Sequence, residues 1–159
     1  MIALHDRWLR RKLLIRRELP SNLYGMSEQN VELVRRGYEA LRSGDVDTVH
    51  ELFDPDLSWR GWRSDSSDCH NREEAIMLIK ERLQERAVGE LAEIVDVDGD
   101  RVVVVMRRNP ESSRTYEDEG LPEGHDETAN LVTIRAGRVV AMQGYRTKAE
   151  ALAATSSTG

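Results

Sequence analysis

One polar segment, NPESSRTYEDEGLPEGHDE at residues 109–127, carries several residues that could transfer a proton. The segment contains seven acidic residues, one arginine and two prolines. Its end places an imidazole beside two carboxylates, and we take His125, Asp126 and Glu127 as candidate general acids and bases. Connections of this length are uncommon in compact domains, so the segment is either disordered or a mobile lid that carries these groups.

A thiol and an imidazole stand next to each other at Cys69 and His70. Neighbouring residues in an extended segment point in opposite directions, so adjacency in the chain does not make a catalytic dyad. Packing or entry into the following helix is the preferred interpretation of both residues.

No sequence pattern indicates a metal or a cofactor. DVDGD, residues 96–100, partly matches a calcium loop, but its glycine comes too early and Arg107 stands where the closing glutamate is needed. The histidines lack HxH or HExxH spacing, and no GxGxxG or P-loop pattern occurs. We therefore expect no cofactor, no metal site and no nucleotide.

Composition narrows the class of protein. The chain has 159 residues, which suits one domain, and a formal net charge of -6. Residues 1–25 carry six basic and two acidic side chains, so the remainder is strongly acidic and unsuited to nucleic acid. No apolar run is long enough to span a bilayer. A single cysteine rules out an internal disulfide, and we expect a cytoplasmic protein.

Capping signals define three helices. We expect residues 1–25 to form a basic, flexible extension, residues 26–154 the domain, and residues 155–159 a disordered tail. Ser27 is expected to cap the first helix, which ends at Gly44. Asp45 caps a short second helix, and Asn71 opens a third in a capping box with Glu74. DLSWRGW, residues 56–62, reads as a short strand between the last two.

The second half of the chain has strand periodicity. Residues 90–97 and 101–108 form a hairpin whose VDGD connection favours a type I′ turn, and residues 128–135 and 138–146 form another about Ala136 and Gly137. Helices therefore precede an antiparallel sheet, which predicts an α+β fold.

Three stretches resemble one known group of domains. VELVRRGYEALRSGDVDTVHELFDPDLSW, NREEAI and LVTIRAGRVVAMQGY together resemble the SnoaL-like branch of the nuclear transport factor 2-like superfamily, whose members include ketosteroid isomerase, polyketide cyclases and limonene epoxide hydrolase. The likeness covers about residues 27–154. It implies a cone-shaped, curved, mostly antiparallel sheet packed by three N-terminal helices, with an apolar pocket open at one end.

Alternation along the strands of that fold assigns their faces. If Met142 points inward, as the resemblance implies, Val140 shares its side and Val139 faces out. The residues expected to line the pocket are Tyr38, Trp59, Val104, Met106, Arg108, Asn130, Val132 and Met142. The outer face is expected to pair two copies into a homodimer through Leu131, Thr133, Ala141, Gln143 and Tyr145.

The resemblance does not bring the isomerase chemistry with it. A gapless match places Gly61 where ketosteroid isomerases have their general-base aspartate, Gly37 at the position of their tyrosine donor, and Asn130 at that of their protonated aspartic acid. Tyr38 lies one residue out of register.

Three functions fit this reading of the sequence. The first is a homodimeric protein that binds a lipophilic, oxygen-bearing metabolite. The second is an isomerase, cyclase or hydrolase that uses acid and base groups of residues 109–127. The third is a structural or partner-binding domain with a filled cone.

Overall fold

A computed structural model describes residues 21–63 and 68–157 as an α+β fold. Its elements, in chain order, are α1 (Ser21–Ser43), α2 (Val46–Leu52), β1 (Phe53–Arg60), α3 (Arg72–Gln84), β2 (Glu90–Asp96), β3 (Arg101–Arg107), α4 (Tyr116–Glu119), β4 (Glu127–Arg135), β5 (Arg138–Tyr145) and α5 (Lys148–Ser157). The sheet is curled and unclosed, with strand order β1-β5-β4-β3-β2. Strands β1 and β5 pair in parallel, and the other neighbouring strands of this order pair antiparallel. The predicted fold class is confirmed.

The predicted helix corner and the third helix are confirmed by their caps. Gly44 has φ +80°, the left-handed conformation that ends α1. The Asp45 carboxylate accepts the Thr48 N–H at 3.2 Å, which starts α2. The side chain of Asn71 accepts the Glu74 N–H at 2.9 Å, which starts α3.

The first helix begins earlier than expected, so the prediction of Ser27 as its cap is wrong. Helix α1 is already formed at Ser21, inside the segment expected to be an extension, and residues 1–20 lie outside the described residues. Ser27 is buried, and its hydroxyl donates to the Asp98 carbonyl oxygen at 3.4 Å. Asn30 donates to the Gly99 carbonyl oxygen at 2.9 Å. A tertiary contact with the β2–β3 turn therefore uses the serine that looked like a cap.

The β2–β3 turn is also not the predicted type I′ turn. Gly99 lacks the positive φ that this turn requires. Residues 97–100 connect the strands, and the Asp98 carboxylate accepts the N–H groups of Asp100 and Arg101 at 3.2 and 3.0 Å. In contrast, Ala136 and Gly137 have φ +52° and +76°, as expected of a two-residue turn.

A β-bulge in β5 reverses part of the predicted face assignment. Thr133 pairs with Ala141, but Ile134 pairs with Val139, so Val140 is an extra residue. Val139 is therefore buried in the core together with Met142, and Val140 is only partly buried. The prediction that Val139 faces out and Val140 faces in is wrong.

The two faces of the sheet bury separate apolar clusters. The inner face packs against α1, α2 and α3 and forms the larger core. The outer face carries Val103, Val105 and Ala129, which α5 covers with Ala151. Helix α5 runs to Ser157, so the expectation of a disordered tail from residue 155 is wrong up to that point.

Helix α5 lies against part of the outer face that was expected to form the dimer interface. Leu131 and Tyr145, both expected in the dimer interface, pack against the cluster that α5 completes within the same chain.

None of the helices in the ranges 21–63 and 68–157 combines the length and apolar character needed to cross a bilayer.

Candidate functional site

A cavity of about 290 Å³ lies between the three N-terminal helices and the inner face of the sheet. Its deep walls are apolar and come from every surrounding element. They include Leu33, Val34, Leu41, Val49, Leu52, Phe53, Trp59, Leu78, Ile79, Met106, Val132, Val139 and Met142. The volume is near the lower end of the range for small-molecule sites in proteins.

One polar pair lies among these apolar walls. Tyr38 of α1 shares a side-chain hydrogen bond with Asn130 of β4, and both residues line the cavity. Burial raises the pKa of the Tyr38 hydroxyl to about 12, although the hydrogen bond with Asn130 opposes the shift. Tyr38 therefore remains a neutral hydrogen-bond donor at physiological pH. Gly37 also lines the cavity, but its neighbour Tyr38 supplies the hydroxyl.

The tryptophan stretch forms one side of the cavity and its rim. Trp59 lines the wall, and its backbone exchanges two hydrogen bonds with Cys69, at 2.9 and 2.7 Å. Gly61 donates its N–H to the Asp68 carboxylate at 3.0 Å and accepts from the Gln143 side chain at 3.1 Å. Trp62 lies against Gly144, where an added Cβ would come within 3.3 Å of the indole ring. Gly144 thus leaves space for Trp62 at the cavity mouth.

Residues 109–127, here called the mouth segment, cover the open end of the cavity as an ordered structure. The expectation of disorder is wrong for this segment. Thr115 and Asp118 form a reciprocal capping box that starts α4, and Gly120 ends it with φ +70°. Leu121 is buried, and the Ser113 N–H donates to the Glu85 carbonyl oxygen at 2.8 Å. Short-range caps and long-range contacts together hold the mouth segment in place.

Arg108 lines the cavity, but its charge is already paired. Its Nη1 lies 2.6 Å from Glu119 Oε2, and its Nη2 donates to the Arg114 carbonyl oxygen. The guanidinium lies 4.2 Å from the centre of the Tyr116 ring. Arg108 therefore anchors the mouth segment to the end of β3.

The three predicted acid–base residues are placed differently from one another. The His125 Nε2 lies 2.5 Å from the Arg146 carbonyl oxygen, so that nitrogen carries the proton. Asp126 accepts the Tyr116 hydroxyl at 2.6 Å. Both residues line the cavity, whereas Glu127 is exposed at the start of β4 and does not.

Most of the expected pocket residues line the cavity. The structure places Tyr38, Trp59, Met106, Arg108, Asn130, Val132 and Met142 on its wall. Val104 is fully buried in the core and does not reach the wall.

Sequence reasoning missed Glu119, Arg114 and Arg82, which line the mouth. For Glu119 the pattern Thr115-x-x-Asp118 followed by Gly120 was a readable signal of a capped helical turn. The arginines carried no such signal, because only the folded chain brings them together.

Cys69 and His70 do not form a dyad. Cys69 is buried, and burial, followed by the Glu74 charge, raises the pKa of its thiol to about 11. His70 is exposed, with its Nδ1 3.1 Å from a Glu74 oxygen. Across the two described ranges, no three His, Cys, Asp or Glu side chains are grouped so that they could hold a metal ion.

Comparisons with solved structures identify the same architecture. Bal32a from a soil-derived mobile gene cassette is 27% identical, with a TM-score of 0.62 over 76% of this chain and 90% of that one. A candidate polyketide cyclase from Sinorhizobium meliloti is 18% identical, with a TM-score of 0.55 over 71% and 93%. Another from Xanthomonas campestris pv. campestris is 20% identical, with a TM-score of 0.55 over 82% and 98%.

Sequence comparison gives the family itself. A search of the curated proteins found no significant match. The family model described as the SnoaL-like domain, however, matches residues 34–142, more than two thirds of the chain. This match shows that the chain belongs to the SnoaL-like family. The curled sheet and the neighbours described as nuclear transport factor 2-like show the fold that goes with it.

Proposed function

We propose that this protein binds a lipophilic, oxygen-bearing small molecule in the cavity between its helices and sheet. The observation that carries the proposal is the Tyr38–Asn130 pair among the apolar residues of the cavity wall. The apolar surface favours a lipophilic body, and the pair offers hydrogen bonds to one carbonyl or hydroxyl oxygen. An oxygen at that point would replace the water that a polar group in such a site would otherwise need.

A thermal-shift screen of small ketones and phenols tests this proposal. Ligand present at about 100 times its Kd stabilises the native state by about 2.7 kcal/mol, which corresponds to roughly 5–10 °C in a domain of this size. Asn130→Leu should weaken binding of ketones because it removes a polar partner from the wall. Met77→Leu is a control of similar size, since Met77 is 72% exposed. If no compound raises the melting temperature, the proposal is wrong.

Acid–base catalysis is the second candidate, and the mouth segment favours it. Glu119, His125 and Asp126 line the cavity, so the chain does place proton carriers at the mouth even though Gly61 and Gly37 lack them. Two structural neighbours are candidate polyketide cyclases, which is compatible with an isomerase, a cyclase or a hydrolase.

Deuterium exchange separates the two candidates without knowledge of the substrate. A carboxylate or imidazole that acts as a base would take a proton from the carbon beside the carbonyl of a bound ketone, and D2O would return a deuteron. NMR of 2-tetralone in D2O with and without protein measures that rate. Acceleration that disappears in Glu119→Gln or His125→Ala supports catalysis, and binding without acceleration supports the first candidate.

The open cavity argues against the third hypothesis, a structural domain with a filled cone. The homodimer through the outer face remains part of our proposal, with one change. The patch that includes Thr133, Ala141 and Gln143 is the part to test, because α5 packs beside Leu131 and Tyr145. We also keep the cytoplasm as the proposed location, given one buried cysteine.

A further inference from the structure

Three partly buried arginines meet at the cavity mouth. The side chains of Arg82, Arg108 and Arg114 are 22%, 15% and 18% exposed, and all three line the cavity. Two partly buried carboxylates, Glu85 and Glu119, lie among them with 28% and 22% exposure. Burial weakens solvent screening, so the balance of charge within this group matters more than it would at the surface.

The two carboxylates, Glu85 and Glu119, do not lie equally close to the three arginines. Arg82 lies 2.9 Å from Glu85, and Arg108 lies 2.6 Å from Glu119. Arg114 approaches the same two carboxylates only at 3.7 and 3.8 Å, beyond hydrogen-bond distance. Both close partners are therefore taken by the other two arginines.

Arg114 also has an unused donor. Its Nη2 donates to the Asp118 carbonyl oxygen at 3.2 Å. Its Nε is buried and has no hydrogen-bond partner within residues 21–63 and 68–157. A buried N–H of a charged group without an acceptor is costly, and native proteins rarely leave one unless a ligand, water or ion completes it.

The cavity wall as a whole also carries more positive than negative side chains. Among the described residues, the cavity is lined by five arginines, the other two being Arg63 and Arg107, against the carboxylates Glu119 and Asp126. This excess of positive charge occurs in a chain with a net charge of -6. A positive cavity in an acidic protein attracts anions selectively.

We propose that the ligand carries a carboxylate and that Arg114 binds it at the cavity mouth. The apolar body of the ligand would occupy the deep walls, and its carboxylate oxygens would accept the Arg114 N–H groups that Glu85 and Glu119 leave unsatisfied. A guanidinium suits this role because its donors match the two oxygens of a carboxylate. The inference rests on the proposed binding function and narrows its ligand class to lipophilic acids.

A matched pair of probes tests the inference. 2-Naphthoate and 2-acetonaphthone share the naphthalene body and a carbonyl, but only the first is charged at pH 7.5. Isothermal titration calorimetry gives the Kd of each. We expect 2-naphthoate to bind about tenfold more tightly or better, as one charge-assisted pair at a partly buried site would give.

Variants assign the preference to Arg114. Arg114→Gln should reduce the Kd ratio of the two probes to about one, while Arg114→Lys should keep part of it because the charge remains. Arg36→Gln removes the same charge from an exposed position of α1 outside the cavity and should leave the ratio unchanged. Circular dichroism verifies that each variant is folded. If Arg114→Gln does not fold, the ratio of the two Kd values in the wild-type protein still tests whether the ligand site prefers a carboxylate.

The outcomes separate this inference from the function on which it rests. Equal Kd values for the two probes in the wild type, or an unchanged ratio in folded Arg114→Gln, would overturn the carboxylate site and leave ligand binding intact. If neither probe binds and no neutral compound does, the binding function itself is wrong.

Discussion

The indole Nε1 of Trp62 donates a hydrogen bond to the carbonyl oxygen of Glu119 at 2.8 Å, across 57 positions of sequence. Its neighbour Arg63 donates to the Asp118 carbonyl oxygen at 2.6 Å. From the opposite side, Arg108 holds the Glu119 carboxylate. The last turn of α4 is therefore fixed between the end of β1 and the end of β3, so closure of the cavity depends on both strands.

Loss of the indole hydrogen bond should loosen the mouth segment. Trp62→Phe keeps an aromatic ring against Gly144 but leaves the Glu119 carbonyl oxygen without this donor, with an expected loss of about 1 kcal/mol in stability. Hydrogen–deuterium exchange measured by mass spectrometry should become faster in peptides covering residues 115–121. Trp59→Phe is the control, because Trp59 lines the wall and its backbone hydrogen bonds join it to Cys69 and not to α4. Equal exchange in both variants would show that the indole bond does not hold the mouth segment.

The mouth segment also shows where sequence reasoning reached its limit. Its composition is polar and charged, which is typical of disorder, yet a four-residue helical turn orders it. The capping box at Thr115 and Asp118 was visible in the sequence, but the Trp62 and Arg108 contacts depend on strands far apart in the chain. Local signals therefore predicted the helices and hairpins well, and the site only in part.

The β5 bulge illustrates a second limit. The resemblance implied an inward Met142, and Met142 lies in the inner core, paired with Val132 on the regular side of the bulge. Strict alternation counted from Met142 failed at Val139 and Val140, beyond the extra residue. No residue type marks this bulge, since valines occupy both positions, and either could be packed on either face.

The Cys69 thiol and the Tyr38 phenol should make the protein less stable at high pH. Burial raises the pKa of Cys69 to about 11 from 9.0, and that of Tyr38 to about 12 from 10.0. Both folded forms hold the proton more tightly than the unfolded chain, so their contribution is complete below pH 9 and is lost as pH rises through the range from 9 to 12. Urea denaturation between pH 8 and pH 11 should show this decline, and a smaller decline in Cys69→Ala. A decline of the same size in that variant would exclude the thiol as its cause.

Replacement of Asn130 should change the pKa of Tyr38. The Asn130 hydrogen bond lowers the pKa of Tyr38 against the effect of burial, so Asn130→Leu should raise that pKa further. Ultraviolet absorbance titration of tyrosinate measures the shift, with Tyr38→Phe identifying the signal. We also expect a loss of about 1–3 kcal/mol in stability, because the phenol would lose its partner inside the cavity. A lower pKa of Tyr38 in Asn130→Leu would contradict the proposed pairing.

Two glycines should respond to alanine in opposite directions. Gly37 lies within α1, and an added Cβ would meet Leu52 Cδ1 at 3.4 Å, an ordinary contact. Gly37→Ala should therefore stabilise the protein by roughly 0.5–1 kcal/mol through helix propensity. At Gly89 the added Cβ would come within 2.5 Å of the Arg107 carbonyl oxygen, and we expect destabilisation of about 1–3 kcal/mol. Urea denaturation of the two variants gives both values, and stabilisation by Gly89→Ala would contradict the close approach.

Substitutions in α5 test whether this helix covers the apolar outer face of the sheet. Ala151 is fully buried against the cluster that contains Val103 and Ala129, whereas Ala153 on the same helix is exposed. Ala151→Asp would place an unpaired carboxylate in an apolar contact, with an expected loss of about 3 kcal/mol or more, while Ala153→Asp should change stability by less than about 0.5 kcal/mol.

Size-exclusion chromatography with light scattering of the same two variants then reports on self-association. If α5 shields the outer face, its displacement in Ala151→Asp exposes Val103 and Val105, and larger species should appear at concentrations where Ala153→Asp keeps the wild-type size. Because the two variants carry the same added charge, a difference between them can come only from the position of the carboxylate. Identical elution and identical melting temperatures would mean that α5 contributes little to covering this face, and the whole outer face, including Leu131 and Tyr145, would again be available to a second copy of the chain.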